Sequence, residues 1–253
     1  MLALLSPAKT LNEEQSVQQG LEAPKLRKQS GELISILKEY SKDQIKDLMH
    51  ISDKLTDLNY ERYHAYSPRY TTKNSKAAIY MFKGDVYQGF DADTLSVDDI
   101  AFAQDHVRIL SGLYGILKPM DKMQAYRLEM GTSLPNPKGH NLVKFWQESV
   151  TKEINASLKE QGADLLVNLA SVEYFNAVNK SKLNATIHNI TFKEYRGDKL
   201  KIISFSAKKA RGYMARYICK NKITKKEDLR GFDYEGYTYK EDMSSENNYL
   251  FVR

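Results

Sequence analysis

The chain has 253 residues, is 42% hydrophobic and 28% charged, and carries a formal net charge of +6; this is enough chain for one large core or two small ones, and the balance excludes a disordered or fibrous polypeptide. No apolar run approaches the ~18–20 residues of a membrane-spanning helix, and the opening Met1-Leu-Ala-Leu-Leu-Ser-Pro7 lacks the basic flank of a secretory signal. The single cysteine, Cys219, excludes an intramolecular disulfide framework, so a cytoplasmic protein in a reducing compartment, with no membrane partner, is expected.

No linker, repeat or low-complexity tract divides the sequence, which predicts one domain over 1–253. Met1–Leu5 reads as a short buried strand that ends at Ser6-Pro-Ala-Lys-Thr10. Residues 12–24 read as a polar loop. Leu26, Leu33, Ile34 and Leu37 form the apolar stripe of a helix over Lys25–Lys38. Ser41 caps a second helix through Met49, and Ser52 or Asp53 starts a third through Ala65. A strand is predicted over Ala77–Phe82, then a tight loop over Lys83–Asp91 bracketed by Gly84 and Gly89. Ser96–His106 reads as a helix and Val107–Leu110 as the next strand, running into Ser111-Gly-Leu-Tyr-Gly115. After an unassigned Tyr126–Met130 and a Pro/Gly/Asn loop at 131–140 come a long helix over Asn141–Gln161, a buried strand over Asp164–Leu169 and a helix over Val172–Val178. Ile187–Tyr195 and Lys199–Phe205 read as a strand pair about the Arg196-Gly-Asp198 turn. A helix over Ala207–Lys220, a turn over Asn221–Thr224, a short helix over Lys225–Leu229 and a final hairpin of Tyr237–Tyr239 with Leu250–Val252 complete the chain. The class is α/β, a mixed α+β order without strict βαβ alternation.

The charge is local. Residues 199–230 hold 11 Lys+Arg and 2 Asp+Glu, a net of +9, which leaves 6 − 9 = −3 for the rest. Such a patch suits a nucleic-acid or phosphate partner and equally a solvated helix face. Lys208 and Lys209 read as first-turn residues behind a serine cap, where the helix dipole and free N–H groups repel a cation. An anion bound there, most naturally a phosphate, reconciles the placement. Ala210, Tyr213, Met214, Tyr217 and Ile218 fall on one apolar stripe, whereas Lys209, Arg216 and Lys220 lie within about 40° of one another at ~100° per residue. A basic row of that kind can follow a phosphate backbone or simply keep the helix solvated.

Three predicted strand ends carry polar or cationic side chains: Ser6 and Lys9, Asn168 and Ser171, Ser206 with Lys208 and Lys209. Ligands of open α/β sheets bind outside such ends, so a polar, positively charged cleft forms if the three converge; separately, each is an ordinary cap. Asp85 stands between glycines and either orients a ligand or caps a helix, and Tyr87 either stacks or fills the core. Arg127 and Glu129 alternate with apolar residues and fit an internal ion pair. The five histidines are scattered, Glu61-Arg-Tyr-His64 is the sole Glu-x-x-His, and there is no zinc spacing, P-loop or dinucleotide fingerprint. No metal and no cofactor are therefore expected, and Cys219 reads as a structural thiol.

Ser6-Pro-Ala-Lys-Thr10, Phe82-Lys-Gly-Asp-Val-Tyr-Gln-Gly89, Arg108-Ile-Leu-Ser-Gly-Leu-Tyr-Gly115, Tyr126-Arg-Leu-Glu-Met-Gly131, Asn168-Leu-Ala-Ser171 with Glu173-Tyr-Phe175, and Ser204-Phe-Ser-Ala-Lys-Lys-Ala-Arg-Gly212 resemble, in order and nearly end to end, the peroxide stress protein YaaA family of bacteria. The resemblance implies a single α/β domain of unusual topology with a basic cleft. It also implies a cytosolic role in peroxide stress through low intracellular iron, and DNA binding by an element similar to a helix–hairpin–helix, here 207–230. The turn Asn221-Lys-Ile-Thr224 lacks the central glycine of that element, which shifts the expected phosphate contacts to Lys9, Ser171, Ser206, Lys208, Lys209, Arg211, Arg216 and Lys220. Tyr87 and Tyr114 are the candidates for stacking on unpaired bases. The partner is expected to be DNA, duplex or partly unpaired, or another phosphate-bearing ligand, with the protein a monomer. The alternative is an enzyme acting on a nucleotide or nucleic-acid base, with Lys9, Asp85, Glu129 and Glu173 as acid, base or Schiff-base groups. Direct iron binding is disfavoured by the scattered ligands.

Overall fold

Leu2–Leu5 (β1) is buried at every position, as an uncharged apolar run with no alternation requires of a strand covered on both faces. The computed structural model describes residues 1–14 and 22–253, so most of the loop read at 12–24 lies outside the described residues. Thr10–Leu11 (β2) follows β1. Three helices then form where their stripes and caps place them: Arg27–Lys38 (α1), Lys42–Met49 (α2) and Asp53–Ala65 (α3). Ser41 and Gln44 close a full capping box on α2.

The stretch read as one strand over Ala77–Phe82 is instead three pieces: Lys76–Ala77 (β3), a helical turn Ala78–Met81 (α4) and Phe82–Lys83 (β4). All of Lys76–Phe82 is buried, and burial on every side erases the period that separates strand from helix. The loop read at Lys83–Asp91 is also a helix, Asp85–Phe90 (α5), with Gly84 as its N-cap and Gly89 inside it. Val97–His106 (α6) has a second capping box, from Ser96 and Asp99. It leads into Val107–Ser111 (β5), which turns back as Gly115–Leu117 (β6) before Lys122–Met123 (β7). Gly115 has φ +70°, and a β-carbon there would stand 2.6 Å from the Trp146 ring, so both backbone and space demand glycine. Trp146 belongs to the long helix Leu142–Glu160 (α7), and its indole N–H donates to the Gly112 carbonyl at 2.8 Å.

Leu165–Asn168 (β8) is followed by a helix of one turn, Val172–Phe175 (α8), shorter than expected. Thr186–Arg196 (β9) and Lys199–Lys201 (β10) form the predicted hairpin, but β10 stops early and a helix begins at Ser204, giving Ser204–Lys220 (α9). Residues 227–231 are a 3₁₀ helix rather than an α-helix. Thr238–Tyr239 (β11) pairs antiparallel with Asn248–Val252 (β12).

The main sheet runs β11-β12-β9-β8-β1-β5-β6, with β10 paired to β9 off this path. The five inner strands are parallel and the two outermost antiparallel. The chain is thus a single mixed α/β domain with a parallel-rich sheet, and nine α-helices occur among the described residues. Asparagine amides tie three inner strands across one row, Asn168 to Asn189 and Asn189 to Asn248, each at 3.0 Å. Because a one-residue slip breaks both bonds, the ladder pins the register. Burying each leucine of β1 contributes ~1.5–3 kcal/mol, and β1 carries the carboxyl end around which the site is built.

Candidate functional site

β1 and β8 are parallel neighbours with Leu4 opposite Asn168, so two of the three predicted strand ends meet. The Ser171 amide donates to Ser6 Oγ at 2.8 Å, and the two hydroxyl oxygens are 3.4 Å apart. Ser171 also caps α8 through the Tyr174 amide. Helix α5 joins them: the Tyr87 hydroxyl donates to the Ser6 carbonyl at 3.0 Å, and a β-carbon on Gly84 would lie 3.1 Å from the Ala8 methyl. Segment 126–131, which has no regular structure, closes the ring. Glu129 accepts from Lys9 at 3.2 Å and pairs with Arg127 at 3.1 Å, the ion pair expected from the sequence. Glu173 accepts from the Gly131 amide at 3.0 Å.

Lys9, Glu129 and Glu173 therefore surround one end of the sheet, and Asp85, as the first residue of α5, lies on an element fastened to it. Lys9 is 63% exposed at its side chain. The recess between Pro7, Ala8, Lys9, Tyr126, Glu129 and Tyr174 has a volume of about 10 Å³, room for about one water. Chemically, this end offers a surface ammonium tethered by a carboxylate. Glu129 is held by two cations and Glu173 by a backbone amide, so both carboxylates already serve positioning roles.

The third predicted strand end does not join directly, because β10 branches from β9 off the main path of the sheet. Helix α9 approaches through α5 instead. A β-carbon on Gly89 would stand 2.2 Å from the Lys209 carbonyl oxygen, and one on Gly212 would stand 1.9 Å from that of Val86, so the two backbones touch where glycine allows it. Several expectations for α9 change. Its N-cap is Ile203, with no side-chain cap. Ser206 lies inside the helix, where its hydroxyl helps to lower the pKa of the Glu194 carboxyl, so it is not the N-cap expected to hold a phosphate. Lys208 and Lys209 fall in the second turn, beyond the reach of the terminal dipole. Arg216 leaves the basic row: it donates to the Phe90 and Asp91 carbonyls at 3.0 and 2.7 Å, with the Asp91 carboxylate at 3.7 Å. There it satisfies the open end of α5.

Lys209 lies over the Tyr213 ring at 5.4 Å, and the phenol hydrogen bond raises the pKa of its ammonium. Arg211 is half-buried, and burial pushes its pKa down. It makes no hydrogen bond or ion pair with the described residues, and Lys208, Lys220, Lys199 and Lys201 make none either. Among the described residues these five carry charge that no partner compensates.

Neither predicted stacking residue is available. Tyr114 is fully buried, its hydroxyl donating to the Gln124 carbonyl at 3.2 Å and accepting from the Gln124 amide at 2.9 Å. Tyr87 is buried against Phe82 at 5.2 Å between ring centroids. The exposed rings lie elsewhere: Phe205 is 58% exposed, Tyr195 53%, and the apolar Ile202 58%. Tyr195 stands opposite Leu200 in the hairpin, and Phe205 precedes Lys208 by one turn. The sequence held a signal for Phe205, which falls about 180° from the Ala210, Met214 and Ile218 stripe at ~100° per residue.

In the turn after α9, Lys222 adopts φ +52°, the left-handed conformation that glycine usually supplies. Its ammonium donates to Asp99 at 2.6 Å and to the Asp98 carbonyl at 3.0 Å, and this hydrogen bond to Lys222 holds the Asp99 carboxyl down at about 2. Cys219 is fully buried, which pushes its thiol up to about 12. No group of three or more His, Cys, Asp or Glu suited to a metal ion occurs among the described residues, and none of their helices is long and apolar enough to cross a membrane.

Comparison with known proteins adds family evidence. Residues 1–243 match the family model described as peroxide stress protein YaaA. A UPF0246 protein of Shewanella woodyi is 51% identical over 254 aligned positions, covering 100% of this chain and 99% of the relative. A UPF0246 protein of Colwellia psychrerythraea is 50% identical with the same coverage, and one of Shewanella baltica is 48% identical.

Proposed function

Because the chain belongs to the peroxide stress protein YaaA family, with the stress-response role that this carries, we propose that it acts in the cytoplasm by binding DNA through the basic surface of α9 and the β9–β10 hairpin, largely without sequence specificity, and so limits iron-driven damage. The observation that supports this reading is a set of cations whose side chains have no hydrogen-bond or ion-pair partner among the described residues: Lys199, Lys201, Lys208, Arg211 and Lys220. A charge that no carboxylate neutralises is free to displace counterions from a phosphate backbone. Lys9 and Lys209 extend the surface, and Ser171 lines the strand-end junction beside Lys9. The element after α9 takes the part of a helix–hairpin–helix, with Lys222 in place of the turn glycine. Phe205 and Tyr195 replace Tyr87 and Tyr114 as the rings for unpaired bases. The iron-limiting role rests on the family resemblance alone.

Salt titration of DNA affinity tests the proposal. Each neutralised phosphate contributes ~0.9 to the slope of log affinity against log salt. Lys208→Glu with Lys209→Glu is expected to flatten the slope by about 1.8 and to weaken binding at low salt. Unchanged affinity and slope refute it. A second reading, chemistry on a nucleotide base, draws on the Lys9–Glu129 pair at 3.2 Å. Borohydride trapping of a Lys9 adduct across a nucleotide and DNA panel supports that reading, and its absence counts against it.

A further inference from the structure

Arg108 opens one of the sequence motifs, yet the basic surface of α9 makes no use of it. The residue is buried, 4% exposed. Its Nη1 donates to the Gln104, Asp105 and Val107 carbonyls at 2.9, 3.2 and 2.7 Å, and its Nε and Nη2 share Ser157 Oγ at 3.3 and 3.1 Å. Every acceptor is neutral, so no carboxylate among the described residues meets the charge, and a buried charge left without a counter-ion is costly. The antiparallel register that sets Ile109 opposite Leu117 brings Lys118 beside Arg108 on one face of the β5–β6 pair. Like charges placed in this way destabilise a sheet. Lys118 is half-buried, and its ammonium has no hydrogen bond or ion pair among the described residues.

Both cations line a cavity of about 110 Å³. Helix α7 faces it with Glu153, Ala156, Ser157 and Glu160, the i, i+3, i+4, i+7 spacing of a single helix face. Asp121 is buried there too, 6% exposed, and accepts from the Lys118 amide at 2.9 Å. Ile116 and Leu117 add an apolar wall. With the exposed Glu22 and Lys25, three cations and four carboxylates line the cavity, a net of 3 − 4 = −1, and no ion pair joins any two of them. None of the residues that line it lines the Lys9 recess.

We propose that this cavity is a binding site for a small zwitterion of the α-amino-acid class, its carboxylate between Arg108 and Lys118 and its ammonium against Asp121 and Glu153. A simple anion meets four carboxylates, and a simple cation meets a buried guanidinium; only a ligand carrying both charges gives each side a partner. The volume is below the ~150 Å³ that takes benzene, so the enclosed part suits about six non-hydrogen atoms, the size of alanine. Its methyl group then packs on Ile116 and Leu117.

Saturation-transfer NMR detects binding and calorimetry measures it, with glycine, L-alanine and L-serine as probes. Propionate and propylamine, which carry one charge each, are the controls. L-alanine is expected to bind the native protein and to raise its melting temperature, with each control weaker by about tenfold or more, as loss of one partner of a desolvated charge pair requires. Lys118→Glu and Glu153→Gln each weaken L-alanine by about tenfold or more, and Lys118→Arg retains it. Lys208→Glu with Lys209→Glu leaves it unchanged, so the outcome is independent of DNA binding. Thermal melts confirm that the variants fold. Absence of binding by all three amino acids, controls that bind as tightly as L-alanine, or affinity unaltered by both Lys118→Glu and Glu153→Gln overturns the proposal.

Discussion

Gly212→Ala separates two opposed effects on α9. Helix propensity alone predicts stabilisation, since alanine in a helix interior is worth ~1 kcal/mol over glycine. The α5 contact predicts the reverse. The added β-carbon stands 1.9 Å from the Val86 carbonyl oxygen and 2.8 Å from the Phe90 nitrogen, and ordinary contact begins at 3.4 Å, so the helices must part by about 3.4 − 1.9 = 1.5 Å. The obstacle is backbone, which no rotamer change relieves. Overpacking of this kind costs ~1–3 kcal/mol, and the displacement also strains the charged hydrogen bonds from Arg216 to the Phe90 and Asp91 carbonyls, worth ~1.5–3 kcal/mol each. After subtracting the propensity gain, a net loss of about 2–4 kcal/mol is expected. Urea unfolding followed by circular dichroism measures it, with Gly31→Ala as the control. Gly31 lies inside α1 with no atom within 4 Å of its virtual β-carbon, so that variant gains ~0.5–1 kcal/mol. If Gly212→Ala is as stable as the parent, or gains as the control does, the close approach of α5 and α9 is not what holds them.

Two further outcomes follow from buried groups. Burial pushes the Glu194 carboxyl up, but hydrogen bonds from Ser206, Tyr237 and Arg253 outweigh it and leave its pKa lowered. Its stabilising contribution is therefore fully present above the ordinary carboxylate pKa and is lost as pH falls through the lowered value. Glu194→Gln should flatten that acid limb in thermal melts taken across pH, and an unaltered limb refutes the assignment. Cys219 should resist Ellman's reagent in the native protein and react stoichiometrically in urea; fast labelling without denaturant shows that the α9 packing opens.

Much of this architecture was legible where a local signal agreed with burial. Ser41 and Ser96 announce the starts of α2 and α6, and the uncharged runs Leu2–Leu5 and Leu165–Asn168 announce inner strands. Lys76–Phe82 was not legible, because uniform burial leaves no period to read. The start of α9 was misplaced because Ile203, an apolar residue without a capping side chain, carries no start signal and extends the apparent strand. At the site, the Ser6–Ser171 junction and the Arg127–Glu129 pair followed from motif chemistry. The burial of Tyr87 and Tyr114 did not, since a tyrosine beside glycine looks the same in sequence whether its ring faces solvent or core. The inward turn of Arg216 depends on α5, which the sequence presented as a loop.

The central position of β1 also bears on how the molecule comes to be folded. Its partners are β5, with Ala3 opposite Val107, and β8, with Leu2 opposite Leu166. The sheet nucleates only after long loops have closed, and topologies dominated by such distant pairings fold slowly. Until Leu165–Asn168 has been synthesised and docked, Met1–Leu5 is an uncharged apolar segment with unpaired backbone on at least one side, the kind of surface that associates between chains. The strand that organises the site is thus also the segment most in need of protection in the newly made polypeptide.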